Sequence, residues 1–88
     1  RNPGFTDEER EMQENFLQWL KDNCWRFGFV LRYDEGWEDI TGYKYEPWHV
    51  RYVGQEAAAS LHEANVPLET WMLLLREDAL LDIIIGEE

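Results

Sequence analysis

The sequence is poor in cysteine, in basic residues and in long apolar runs, and each shortage excludes a class of protein. Its single cysteine, Cys24, rules out an internal disulfide, and its apolar neighbours predict a small buried thiol. Eight Lys and Arg against 19 Asp and Glu leave a formal net charge of -11, which would repel a phosphate backbone and excludes nucleic acid as a partner. The apolar stretches fall far short of the roughly 20 residues that a membrane span needs, so no transmembrane segment is predicted.

What the chain does have is enough apolar material for one small domain. Hydrophobic residues make up 44% of its 88 residues, and the aromatics include five Trp. Chains of this size bury a smaller share of their surface than larger domains do, so we expect support from a metal, a partner or further sequence. The start, Arg1-Asn2-Pro3-Gly4, is not followed by an apolar run and is typical of the middle of a longer chain.

A helix is predicted from about residue 7 to residue 22. Thr6 and Glu9 form a T-x-x-E capping box, and acidic residues fill the first turn, where the helix dipole favours negative charge. Apolar residues then recur at spacings of three and four, which predicts a stripe facing a core: Met12, Phe16, Trp19 and Leu20.

Two extended segments follow. Gly28 favours a chain reversal into a strand over residues 29–33, and residues 49–53 favour a second strand that pairs with it antiparallel. Residues 37–44 are predicted to form a connecting loop, and Pro47 is expected to interrupt the backbone before the second strand.

Two further helices complete the pattern. Residues 55–64 contain four Ala, whose small side chains allow close approach to a sheet, and a last helix has the stripe Leu68, Trp71, Met72 and Leu75. The run Ile83-Ile84-Ile85 fits an added edge strand, a docking tail or a terminal segment packed on the domain, and the sequence does not choose. The predicted fold class is α+β, with a small antiparallel sheet flanked by helices.

The residues that point to chemistry are Glu46 and His49, which Pro47 and Trp48 separate. Positions three apart in a regular strand point to opposite faces, so both side chains reach one cavity only if the backbone turns between them. Pro47 gives a reason for such a turn. An imidazole ligand beside a carboxylate outside the metal shell is the arrangement that a zinc hydrolase requires.

Three segments together carry a family resemblance: FGFVLRY at 27–33, ITGY at 40–43 and EPWHVRYVG at 46–54. They resemble the C-terminal half of VanY-like D-alanyl-D-alanine carboxypeptidases, within the group of zinc peptidases that share a small α+β, hedgehog-like fold. The resemblance implies that residues 1–88 are the C-terminal segment of one catalytic domain. It also implies hydrolysis of the terminal D-Ala of peptidoglycan stem peptides, outside the cytoplasm.

The resemblance also implies roles for individual residues. His49 would be a ligand of Zn²⁺ and Glu46 the general base that takes the proton of the attacking water. Trp48 and Tyr45 would lie beside the substrate, and Arg51 would orient neighbouring acids. The family's other two ligands, a His and an Asp, come from an S-x-H-x-x-G-x-A-x-D motif that this sequence does not contain.

Because of that departure, two other functions stay open at the level of the sequence. The chain could be a non-catalytic relative that binds a peptide or a protein without a complete zinc site, or a half-enzyme that completes its site with another chain. The remaining histidine and four of the tryptophans are expected to have structural rather than functional roles. His62, in the Ala-rich helix, is expected to be solvated or partly packed, and core or pocket-wall positions are expected for Trp19, Trp25, Trp37 and Trp71. The oligomeric state stays open.

Overall fold

The first helix begins where the capping box predicts it. In the computed structural model, which describes residues 4–86 and the side chains of residues 4–77, helix α1 spans Asp7–Asn23. The Thr6 hydroxyl accepts a hydrogen bond from the Glu9 amide at 3.1 Å, and Glu9 Oε1 accepts one from the Thr6 amide at 3.4 Å. A 3₁₀ helix, Cys24–Phe27, continues from the end of α1.

Gly28 turns the chain from the 3₁₀ helix into the sheet. Its φ of 89° lies in the left-handed region that favours glycine. A Cβ at this position would lie 2.7 Å from Tyr52 Cε1 and 3.2 Å from the backbone nitrogen of Gln55, so glycine is also required for space. The reversal predicted at this residue is therefore confirmed.

The sheet consists of two antiparallel strands, β1 at Phe29–Tyr33 and β2 at Glu46–Tyr52. Strand β1 has the predicted bounds, whereas β2 begins three residues earlier than predicted and runs through Pro47. The segment between the strands, predicted as a loop, contains a single helical turn, α2, at Glu38–Thr41. The α+β fold class with its small antiparallel sheet is confirmed.

Two helices pack after the sheet, α3 at Gln55–Ala64 and α4 at Leu68–Gly86. Ala58 is completely buried, so the predicted close approach of the Ala-rich helix is confirmed. The core is small and consists of Val30, Ala58, Leu61 and Leu68, with Trp25, Val53, Val66 and Trp71 partly buried around it.

The prediction that the apolar stripe of α1 faces a core needs correction, and the stripe of α4 is only partly buried. On α1, Met12 is 70% exposed and Phe16 and Trp19 are also exposed, although the Trp19 ring lies 6.3 Å from that of Phe27 in the 3₁₀ helix. On α4, Leu68 and Trp71 join the core, whereas Met72 and Leu75 are exposed. Periodicity identified the apolar face of each helix correctly, but it does not say whether anything covers that face.

The backbone at the end of α4 excludes one of the three structures considered for residues 83–85. The backbone is helical through residues 83–85, which excludes an added edge strand, and the side chains of this run lie outside the described ones. Among the described residues, no helix combines the length and the apolar character that crossing a membrane requires.

Candidate functional site

The two strands pair regularly at one end of the sheet and irregularly at the other. Phe29 pairs with Tyr52, Val30 with Arg51 and Leu31 with Val50. The next pair is Tyr33 with Glu46, so β1 advances two residues while β2 advances four. Strand β2 therefore holds two extra residues in the stretch that contains Pro47, Trp48 and His49. Proline is tolerated at such an irregularity because its missing N–H interrupts no ladder hydrogen bond there.

This irregularity brings Glu46 and His49 together. His49 Nδ1 lies 3.3 Å from Glu46 Oε2, although residues three apart in a regular strand would face opposite sides. The two side chains are partly open to solvent, with 32% of Glu46 and 48% of His49 exposed. The pair is therefore accessible to a small ligand and has the geometry of a hydrogen-bonded carboxylate and imidazole.

Tyr33 lies beside this pair and Tyr43 lies against Tyr33, and sequence reasoning did not identify either as a site residue. The ring of Tyr33 lies 4.9 Å from the His49 ring, nearly perpendicular to it, and 4.8 Å from the ring of Tyr43. Thr41 Oγ1 accepts a hydrogen bond from the Tyr43 amide at 3.1 Å, which holds the turn that carries Tyr43. The pairing of Tyr33 with Glu46 could have identified Tyr33, had the second strand been extended back to residue 46.

The other predicted site residues lie on the surface around the pair. Trp48 is 61% exposed and Tyr45 is also exposed, so their rings are available to a ligand. Arg51 pairs across the sheet with Val30 and is exposed. It has no ion pair with any described residue, so its predicted orienting role has no acidic partner in the part of the chain that the structure describes.

The donor set of the site fits part of a zinc centre. An imidazole and a carboxylate are groups that Zn²⁺ accepts, but a catalytic zinc site takes three protein ligands. Among the described side chains, those of residues 4–77, no cluster of three or more His, Cys, Asp or Glu is placed to hold a metal. His49 is thus suited to supply one ligand, and two further ligands would have to come from residues outside the described ones.

A cleft of about 170 Å³ lies elsewhere, between the end of α1, the 3₁₀ helix, β1 and α3. Neither Glu46 nor His49 lines it, and its walls are largely apolar, so the cleft is separate from the Glu46–His49 pair. Cys24 lies in its wall, and burial raises the pKa of this thiol, which keeps it protonated. The predicted buried thiol is confirmed.

His62 also lines the cleft and stacks on Trp25, with ring centroids 4.9 Å apart. It is exposed and partly packed, as predicted. Of the remaining tryptophans, Trp37 lines the cleft and Trp71 packs on the core, whereas the expectation of a core or pocket-wall position is wrong for Trp19, which is exposed.

Comparison with known proteins agrees with the geometry. The family model described as VanY, D-alanyl-D-alanine carboxypeptidase, matches residues 2–55. A D-alanyl-D-alanine carboxypeptidase of Enterococcus faecium is 41% identical over 71 residues, which is 81% of this chain and 23% of that protein. The chain spans about a fifth of the length of the curated relatives it matches.

Solved structures give the same result. VanYB in complex with D-alanine-D-alanine superposes with a TM-score of 0.66 at 42% identity, over 67% of this chain and 33% of that chain. The LdcB LD-carboxypeptidase, whose structure concerns peptidoglycan recognition, superposes with a TM-score of 0.62 at 45% identity, over 64% of this chain and 26% of that chain.

Proposed function

The chain belongs to the VanY family of D-alanyl-D-alanine carboxypeptidases, and from that premise we propose that residues 1–88 are the C-terminal segment of a single catalytic domain. The domain removes the terminal D-Ala from peptidoglycan stem peptides and works outside the cytoplasm. The proposal is supported by the match over residues 2–55 and by the small share of each relative that the chain spans.

One observation carries the chemical part of the proposal. The irregular end of the sheet places Glu46 Oε2 3.3 Å from His49 Nδ1, on a partly exposed surface where water and a peptide have access. The pair supplies the two functions that a zinc peptidase needs from this half of a site, one ligand and one proton acceptor.

His49 is proposed to hold the metal together with a His and an Asp from an upstream S-x-H-x-x-G-x-A-x-D motif. Zn²⁺, when bound, supplies Lewis acidity that makes water more acidic and polarises a carbonyl. For His49 to be a ligand, its imidazole must be neutral, because a protonated ring nitrogen has no lone pair to donate.

Glu46 is proposed to move the proton. Its carboxylate takes a proton from the attacking water, and the oxygen of that water forms the new bond to the carbonyl carbon between the two terminal D-Ala residues. Glu46 then gives the proton to the nitrogen of the departing D-Ala as the C–N bond breaks. A positioned carboxylate of this kind contributes roughly 10²- to 10⁴-fold to the rate.

The exposed aromatics are proposed to bind the stem peptide. Tyr45 directly precedes Glu46 and Trp48 directly precedes His49, and both present open ring surfaces to solvent. Aromatic rings bury large apolar areas, so they suit the methyl groups and backbone of a short peptide. Arg51 is proposed to orient acidic groups that the described residues do not include.

The contact with His49 also allows a second role for Glu46, that of orienting the imidazole without acting as the general base. A carboxylate that accepts a hydrogen bond from imidazole Nδ1 orients the ring and selects its tautomer without moving a proton in the reaction. Replacement by glutamine separates the two roles, because an amide oxygen still accepts a hydrogen bond but does not take up the proton at neutral pH.

The test is release of D-Ala from a stem pentapeptide by the whole protein that carries this segment, with and without a zinc chelator. We expect chelator-sensitive release in the wild type. In Glu46→Gln we expect kcat to fall roughly 10²- to 10⁴-fold with zinc still bound. A fall of only about tenfold would assign Glu46 the orienting role.

Three further results would replace or change the proposal. Wild-type protein that binds the peptide but never releases D-Ala, with zinc added, would indicate the non-catalytic relative. Activity only on mixing with a second chain would indicate the half-enzyme. Release from a tetrapeptide but not from a pentapeptide would change the specificity to that of an LD-carboxypeptidase, the class of one solved neighbour.

A further inference from the structure

We propose that Tyr33 is a positioning residue that fixes the orientation of the His49 imidazole. This inference rests on the proposed function, in which His49 is a zinc ligand. It concerns a residue of the first strand that has no proposed chemistry of its own and that acts only through the ring it touches.

The first step is the contact between the two rings. Their centroids lie 4.9 Å apart and their planes meet at 78°, the edge-to-face arrangement that aromatic pairs prefer. His49 is about half exposed, so few other atoms restrain its ring. Among the described residues, Tyr33 provides the aromatic contact of the His49 ring and Glu46 provides its hydrogen-bond contact, at Nδ1.

The second step is that Tyr33 is itself held in place. It is buried, at 8% exposure, and its backbone pairs with Glu46 directly beyond the irregularity. Its two chain neighbours are both anchored: Arg32 to Glu69 of α4 at 3.0 Å, and Asp34 to Lys21 of α1 at 3.3 Å. A ring on a backbone tied to two helices is a rigid support for a partly exposed imidazole.

The third step identifies which part of Tyr33 acts. Its hydroxyl makes no hydrogen bond with any described residue, whereas its ring contacts both His49 and Tyr43. The ring alone therefore carries the effect, and phenylalanine at position 33 should preserve it. Leucine should not, because it has no ring edge or face to offer the imidazole.

The sheet offers a matched control at its other end. Phe29 of β1 and Tyr52 of β2 form an edge-to-face pair with centroids 5.3 Å apart and planes at 71°. Phe29→Leu removes an aromatic ring from an equivalent pair of the same two strands without touching His49. It reports what loss of such a pair does to the sheet as a whole.

The experiment measures the zinc dissociation constant of the whole protein by competition with a chromophoric chelator. Ring-proton chemical shifts of His49 in the zinc-free protein are measured by NMR. For Tyr33→Leu we expect about tenfold weaker zinc binding, the lower end of the effect of losing a group that orients a metal ligand, and displaced His49 ring signals. Tyr33→Phe and Phe29→Leu should both stay within about twofold of the wild type.

Three outcomes would overturn the inference: unchanged zinc affinity in a folded Tyr33→Leu, an equal loss in Phe29→Leu, or no nuclear Overhauser effect between the two rings in the wild type. The last needs no variant and so does not depend on how well Tyr33→Leu folds. If D-Ala release proves insensitive to chelator, the proposed function fails, and the NMR measurements on zinc-free protein still decide whether Tyr33 orients His49.

Discussion

The two ends of the same two-stranded sheet differ in register, burial and chemistry. At the regular end, Val30 lies in a core with Ala58 and Leu61 and is almost fully buried. At the irregular end, two extra residues in β2 leave Glu46 and His49 partly exposed and in contact. Regular pairing serves to hold the helices, whereas departure from it serves to place two polar side chains on one side.

Separate tasks for the two ends imply separate consequences of mutation. Changes at the regular end should lower the free energy of unfolding and leave the turnover of the folded molecules unchanged. Changes to Glu46 or His49 should lower the turnover and leave the free energy of unfolding nearly unchanged, because neither side chain belongs to the core.

The largest expected effect on stability is at the centre of the core. Leu61→Ala removes a side chain that is 3% exposed, and loss of such a group costs about 2–5 kcal/mol in unfolding free energy. Chemical denaturation measures the loss, and Leu74→Ala, at an exposed position, is the control with an expected change below about 0.5 kcal/mol. Equal losses in the two variants would show that the core is elsewhere.

A smaller effect is expected at the turn that starts β1. Gly28→Ala places a Cβ at a φ of 89° and close to Tyr52 and to backbone atoms, which should cost about 2–3 kcal/mol. Gly36→Ala is the matched control, since Gly36 has a φ of 87° but no atom within 4 Å of the added carbon. In chemical denaturation, Gly28→Ala should lower the free energy of unfolding by about 1 kcal/mol more than Gly36→Ala does. Equal losses would mean that the contacts of the added Cβ at residue 28 have no effect on stability.

The smallest effect is expected at the start of α1, away from both ends of the sheet. Thr6→Ala removes the side-chain half of the capping box and should cost about 1 kcal/mol, measured by thermal or chemical unfolding. Gln13→Ala, at an exposed position within the same helix, should be nearly neutral. A neutral Thr6→Ala would show that the cap does not limit the stability of the chain.

Local signals predicted most of the fold. The capping box gave the start of α1, Gly28 gave the reversal, and residues 55–64 gave α3 with its true bounds. Local patterns do not show which element, if any, packs on an apolar face. For this reason Phe16 and Trp19 were wrongly expected in a core. Whether a stripe is covered depends on residues distant in sequence.

The site was predicted in part for a similar reason. Pro47 indicated that the backbone must depart from regular pairing between Glu46 and His49, and the structure brings these two side chains together. Tyr33, which contacts His49, and Tyr43, which contacts Tyr33, were missed because their positions depend on strand register and on the turn at Thr41, which no local pattern specifies. The roles of the site residues remain proposals.

The central claim, that the irregular end of the sheet supplies a zinc ligand, is tested most directly by zinc titration of the whole protein. The two histidines of the described segment provide the test and its control, since His49 lies beside Glu46 and His62 stacks on Trp25. We predict that His49→Ala loses stoichiometric zinc binding, whereas His62→Ala binds zinc as the wild type does. Full zinc binding by His49→Ala would contradict the account.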